Sequence, residues 1–100
     1  MFVTKLTGLR TSEVTFKSVR VEWDPVPEPF ILGYRVLVKN IYLKQLVPWN
    51  RTYADIRGLL SNSSYIIGVT PFHGLTSEEY PEEKMESINI TTKPEQGEQF

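Results

Sequence analysis

Short runs rich in Val, Ile, Thr, Tyr and Phe recur along the chain, separated by clusters of Gly, Pro, Asn and Ser. That is the strand-and-turn pattern of an all-β sandwich or barrel. The clearest run is Ser18-Val19-Arg20-Val21-Glu22-Trp23. Val19, Val21 and Trp23 alternate with Ser18, Arg20 and Glu22, and a period of two puts the apolar set on one face. Asp24-Pro25-Val26-Pro27-Glu28-Pro29 ends it, because prolines so closely spaced do not fit a central strand. A second run, Gly33 to Lys39, sets Tyr34, Val36 and Val38 on one face. Leu37 lies on the other with Arg35 and Lys39, so that face is not wholly polar.

Shorter strands are predicted over Ile41 to Leu46 and over Thr52 to Ile56, the latter with Ala54 and Ile56 inward. Val47-Pro48-Trp49-Asn50 and Leu60-Ser61-Asn62-Ser63-Ser64 read as turns. Tyr65 to Phe72 places Tyr65, Ile67 and Val69 on an inner face, and Met85 to Thr92 does the same for Ile88 and Ile90. Leu6 to Val14 supplies a first strand anchored by Leu9 and Val14. This makes about seven strands and no sustained helical period. The best helical stretch, Glu78 to Met85, is short and contains Pro81. The tail from Pro94 to Phe100 loses the alternation and reads as a linker, so the expected domain is 1–93 with a linker over 94–100.

The pattern resembles a fibronectin type III domain over nearly the whole chain, from about Leu6 to Thr92. Val19, Val21 and Trp23, followed by Asp24-Pro25, look like that family's second strand and its Trp. Gly33-Tyr34-Arg35-Val36 is similar to its third strand. Leu59, six residues before Tyr65, looks like its tyrosine corner, in which a buried Tyr hydroxyl bonds back to the preceding loop. Ile88 to Thr92 is like its final strand. The family often has Pro soon after the Leu, and here Leu60-Ser61-Asn62 takes that place with other turn-forming residues. The resemblance implies an all-β, seven-stranded, two-sheet antiparallel β-sandwich of immunoglobulin-like fibronectin type III topology. Such a sandwich has two inward faces about 10 Å apart. Trp23, Tyr34, Leu59 and Tyr65 are expected at the centre, with Val19, Val21, Val36, Ile56, Ile67, Val69, Ile88 and Ile90 around them.

Composition fits one folded domain. The chain has 100 residues, 40% hydrophobic and 23% charged, with a formal net charge of −1. There is no Lys/Arg run of the kind that binds nucleic acid, and no apolar stretch approaching the roughly 20 residues of a membrane span. Met1 to Lys5 lacks the apolar core of a signal peptide. With no cysteine, a disulfide framework and a thiolate metal site are excluded.

No catalytic set emerges, and no enzyme activity or cofactor is expected. His73 is the only histidine and falls in an expected exposed loop, His73 to Pro81. There is no phosphate-cradling Gly loop, His-x-x-x-His pair or calcium-loop ladder of carboxylates. Three Asn-x-Ser/Thr sequons stand out: Asn50-Arg51-Thr52, Asn62-Ser63-Ser64 and Asn89-Ile90-Thr91. They point to N-glycosylation and so to an extracellular or cell-surface location. Glu78, Glu79, Glu82 and Glu83 form an acidic cluster around Tyr80, either a partner contact or a solvated loop that guards an edge strand. Trp49 in its turn is either a partner anchor or a cover for its own sheet. Arg-Gly-Asp is absent, and so is a Trp-Ser-x-Trp-Ser signature near the last strand.

The family resemblance implies a non-catalytic extracellular interaction or adhesion module of a larger receptor or matrix protein. Its partners would be other proteins and neighbouring domains, bound through Trp49, His73, Glu78, Glu79 and the loop from Pro25 to Pro29. The alternative is a structural spacer in a multidomain array, without a specific ligand.

Overall fold

The computed structural model describes residues 6–26, 31–73 and 86–95. Among these are seven strands: β1 (Arg10–Val14), β2 (Ser18–Glu22), β3 (Ile31–Val38), β4 (Leu43–Pro48), β5 (Tyr53–Arg57), β6 (Ser64–His73) and β7 (Glu86–Thr91). They form two antiparallel sheets, one in the order β1-β2-β5 and one in the order β4-β3-β6-β7. The fold is the all-β, two-sheet sandwich that the alternating pattern calls for.

Alternation converts directly into packing. In β2, Val19 and Val21 are buried while Ser18, Arg20 and Glu22 are not. They pair with Ile56 and Ala54 of β5, which supply the same inner face. In the opposite sheet Tyr34, Val36 and Val38 pair with Pro71, Val69 and Ile67 of β6. Trp23, 1% exposed, lies just past β2 between the sheets. Its ring meets that of Tyr34 at 5.2 Å and a tilt of 58°, a favourable aromatic geometry. Leu59, Tyr65 and Ile90 close the core at the end where β6 begins.

Two tyrosine hydroxyls fix the loops around this core. Tyr65 accepts the Leu60 N–H at 2.9 Å, bracing the β5–β6 connection. Tyr34 accepts the Val26 N–H at 3.1 Å and so holds the start of the β2–β3 connection.

Several boundaries differ from the sequence reading. Ile41 and Tyr42, expected in a strand, are turn residues, and β4 starts at Leu43 and runs on through Val47 and Pro48, expected as a turn. The cause is local: Ile41 N–H bonds back to Val38 O, and Tyr42 adopts a left-handed φ of 55°. That backbone state ends a strand whatever the side chain's β preference. The first strand begins at Arg10 rather than Leu6, although Leu6 itself is core. Leu9, Val14 and Ile88 are only partly buried, packed against the core from its rim. His73, expected in a loop, is the last residue of β6, with its backbone paired to Ile31. Leu37 is on the outer face yet buried, between its cross-strand neighbours Lys44 and Gly68.

Candidate interaction surface

The antiparallel registers bring the start of β3, the end of β4 and the end of β6 to one end of the four-stranded sheet. Gly33 pairs with Pro48 and Ile31 with His73. Trp49 follows β4 directly, in a turn closed by Arg51 N–H to Pro48 O at 3.1 Å. Its own N–H donates to Leu32 O at 3.1 Å. Leu32 is the additional residue where β3 slips register against β6 between Ile31 and Gly33. A bulge of this kind re-aims a side chain, and here it turns an apolar one outward. Trp49 is 62% exposed, Leu46 61% and Leu32 54%. Leu46 and Pro48 share the outer face of edge strand β4, because Val47 between them is buried. The rim is therefore apolar, with an indole N–H as donor and an edge strand beside it.

The structure brings Trp49 and the His73 backbone to this same end. Glu78 and Glu79 lie outside the described residues, as do most of the expected 25–29 loop and the stretch from Glu78 to Met85. Leu32 was missed by the sequence reading, since a bulge depends on the partner strand and has no local signature in Ile31-Leu32-Gly33. Leu46 looked like one of several strand residues, and its exposure follows only from β4 being an edge.

The opposite sheet presents a different outer face. Arg20 bonds Asp55 through two nitrogens, at 2.7 and 3.0 Å. These hydrogen bonds hold the Asp55 carboxyl below the usual carboxylate range, against an opposing push from partial desolvation. The same pairing raises Arg20. The Arg20 and Arg51 guanidiniums both lie over the Tyr53 ring, at 4.6 and 5.4 Å from its centroid. Arg20 thus has both a carboxylate and a ring against it, and Arg51 a ring.

All three sequon asparagines are exposed. Asn50 sits in the turn beside Trp49. Asn62 is in the β5–β6 turn with a left-handed φ of 51°, its N–H on Lys93 O at 3.0 Å. Asn89 is in β7, flanked by inward-facing Ile88 and Ile90. A device the sequence did not reveal lies next to Asn62. The buried Thr92 hydroxyl accepts from Ser63 N–H at 2.9 Å and donates to Leu60 O at 2.6 Å. Among the described residues no group of three or more His, Cys, Asp or Glu is placed to hold a metal ion. No helix among them is long and apolar enough to cross a membrane.

The family model of the fibronectin type III domain matches residues 4–91. No curated protein matches the chain in sequence. Solved structures with the same fold include the FN1-FN3 domains of chicken CNTN1, at TM-score 0.74 and 20% identity, over 91% of this chain and 32% of that one. The fn3 domain of human contactin 1 matches at TM-score 0.74 and 18% identity, over 91% of this chain and 78% of that one. The central fibronectin-III array of RIM-binding protein matches at TM-score 0.68 and 18% identity, over 91% and 32%. The chain thus spans about a third of two of these multidomain structures.

Proposed function

Because the chain belongs to the fibronectin type III family, whose domains are generally non-catalytic scaffolds, we propose that it is a protein-interaction module of a larger extracellular or cell-surface protein. One observation carries this reading: Trp49, Leu46 and Leu32 stand exposed together at one end of the four-stranded sheet. Large side chains of this type cost free energy in water, and Trp in particular anchors partners at interface centres. His73, Glu78 and Glu79 are proposed as further partner contacts on their chemistry alone, since polar and charged side chains are common at the margins of interfaces. The exposure of Asn50, Asn62 and Asn89 supports a secretory route, since each position has room for a glycan. We take the module to end at Lys93, with the following residues as linker.

A binding assay tests the proposal. The secreted chain is titrated onto intact cells bearing candidate surface proteins, alongside Trp49→Ala. An anchor of this kind is worth about 2 kcal/mol or more, so Trp49→Ala should weaken binding by roughly 30-fold. Its melting temperature should stay within a degree or two, because the side chain is exposed. Equal binding by both proteins would remove Trp49 from the site. A spacer role is the second reading, favoured by the match to multidomain arrays of which this chain covers about a third. It predicts saturable binding by neither protein.

A further inference from the structure

We propose that Asn89 carries an N-linked glycan whose first sugar packs on Ile66, making that sugar part of the four-stranded sheet's outer surface. The proposal rests on the secretory reading above. Asn89 and Ile66 are direct cross-strand partners on β7 and β6. Ile66 donates its N–H to Asn40 Oδ1 at 2.6 Å and accepts the Lys39 N–H at 2.9 Å. Both of its backbone groups therefore point toward β3, away from β7. Thr92 N–H to Ser63 O at 2.9 Å fixes the phase of the β6–β7 ladder: Ser63 and Thr92 form a hydrogen-bonded pair. Three residues along β6, Ile66 opposite Asn89 is a non-hydrogen-bonded pair. That is the pair type in which cross-strand side chains come closest, with Cα atoms about 4.5 Å apart.

The surroundings favour a sugar there. Ile66 is 38% exposed, an apolar side chain left on the solvent face. The next outward position on β6 is Gly68, opposite Ser87, so the floor beyond Ile66 is low. A pyranose presents C–H groups on one face, and those cover an aliphatic side chain while its hydroxyls stay in water. The other two sequons lie in turns beside exposed Trp49 and Leu60, but neither has a cross-strand partner fixed by ladder register as Asn89 does. Asn62 donates its N–H to Lys93 O, and Asn50 lies in the turn closed by Arg51 N–H to Pro48 O. β7 is also an edge strand, and a bulky polar group on it blocks pairing with another chain.

The chemistry is the ordinary transfer from a polyprenyl-diphosphate-linked oligosaccharide in the secretory pathway. A bond forms between Asn89 Nδ2 and the anomeric carbon of N-acetylglucosamine, and the bond from that carbon to the diphosphate oxygen breaks. The polyprenyl diphosphate leaves with its electron pair, and the amide nitrogen gives up one proton.

The test uses the chain secreted from a eukaryotic cell. Occupancy is read by mass, as conversion of Asn to Asp when the glycan is released by an amidase. Thermal melts then compare four proteins, all trimmed to single N-acetylglucosamines: the parent chain, Asn89→Gln, Ile66→Thr, and Ile66→Thr combined with Asn89→Gln. We expect Asn89 to be occupied. The single sugar should raise the melting temperature by about 4 °C over Asn89→Gln. In the Ile66→Thr background, removing the Asn89 sequon should change the melting temperature by less than about 1 °C. A bare Asn89 beside an occupied Asn50 or Asn62 overturns the proposal and leaves the secretory reading standing. So does an occupied Asn89 with no gain, or with a gain that survives Ile66→Thr. A secreted chain bare at all three positions overturns both.

Discussion

Trp23 and Tyr65 show how single side chains set the stability of this sandwich. Trp23 fills the space between the sheets against Tyr34. Trp23→Ala removes that contact and leaves a cavity, at an expected cost of about 3–5 kcal/mol. A domain this size is stable by only about 5–15 kcal/mol, so the variant should be largely unfolded at a few tens of degrees. An unchanged melting curve would show that the ring is not central to the core. Tyr65 contributes in a different way. Its hydroxyl is the acceptor for the Leu60 N–H, so Tyr65→Phe keeps the ring but strands that donor. The expected cost is about 1–2 kcal/mol, read as a lower urea midpoint with an unchanged slope. Gly8 belongs to this scale as well. With φ at +74°, Gly8 holds a backbone state that other residues adopt only with strain, and a Cβ there would also have to displace the Asp24 carboxylate.

At the level of strands, the β2–β5 pair carries a pH dependence. Arg20 and Asp55 are cross-strand partners joined by two hydrogen bonds. The bonds depress the folded-state pKa of Asp55, so the carboxylate adds stability above its unfolded value of about 3.9. That contribution is lost as pH falls through the lower, folded-state value. Asp55→Asn should therefore melt below the parent protein by a constant margin above about pH 5, and the margin should shrink below about pH 4. A margin independent of pH down to 2 would mean that the ion pair does not stabilise the folded state. The effect will be small, since both side chains are a third or more exposed and solvent screens them. Strands are also the scale at which the sequence was most readable. Alternation in Ser18 to Trp23, Gly33 to Lys39 and Tyr65 to Phe72 is a local property, and it reports directly which side chains can share a face. What it did not reveal depends on neighbours far along the chain. Leu32 is exposed because β6 slips past it, Leu46 because nothing pairs with β4 on its far side, and Thr92 is buried because two loops meet over it. Ile41 and Tyr42 are a local exception: their side chains are strand-like, but Ile41 N–H bonds back to Val38 O, Tyr42 takes a left-handed φ, and the chain turns.

For the molecule as a whole, the two sheets divide the surface by chemistry. The β1-β2-β5 face holds Arg20 paired with Asp55 and Arg10 within 3.7 Å of Glu22. The other sheet exposes Leu32, Leu46 and Trp49 where β4 ends, with Tyr42 and Leu60 uncovered in turns elsewhere, and its β7 edge carries the Asn89 sequon. The proposed partner surface and the Asn89 sequon thus lie toward opposite edges of one sheet, whereas the Asn50 sequon falls beside Trp49 itself. The ties around Lys93 have a further meaning when the chain is placed under tension. Lys93 N–H bonds Thr15 O, Lys93 O accepts from Asn62, and Thr92 is held to Leu60 and Ser63. A load applied beyond Lys93 meets bonds to the β1–β2 and β5–β6 turns before it reaches the β6–β7 ladder. These bonds add to the β6–β7 ladder in holding the end of β7. The first ties that a pull from this end meets are therefore those where the last strand leaves the sandwich.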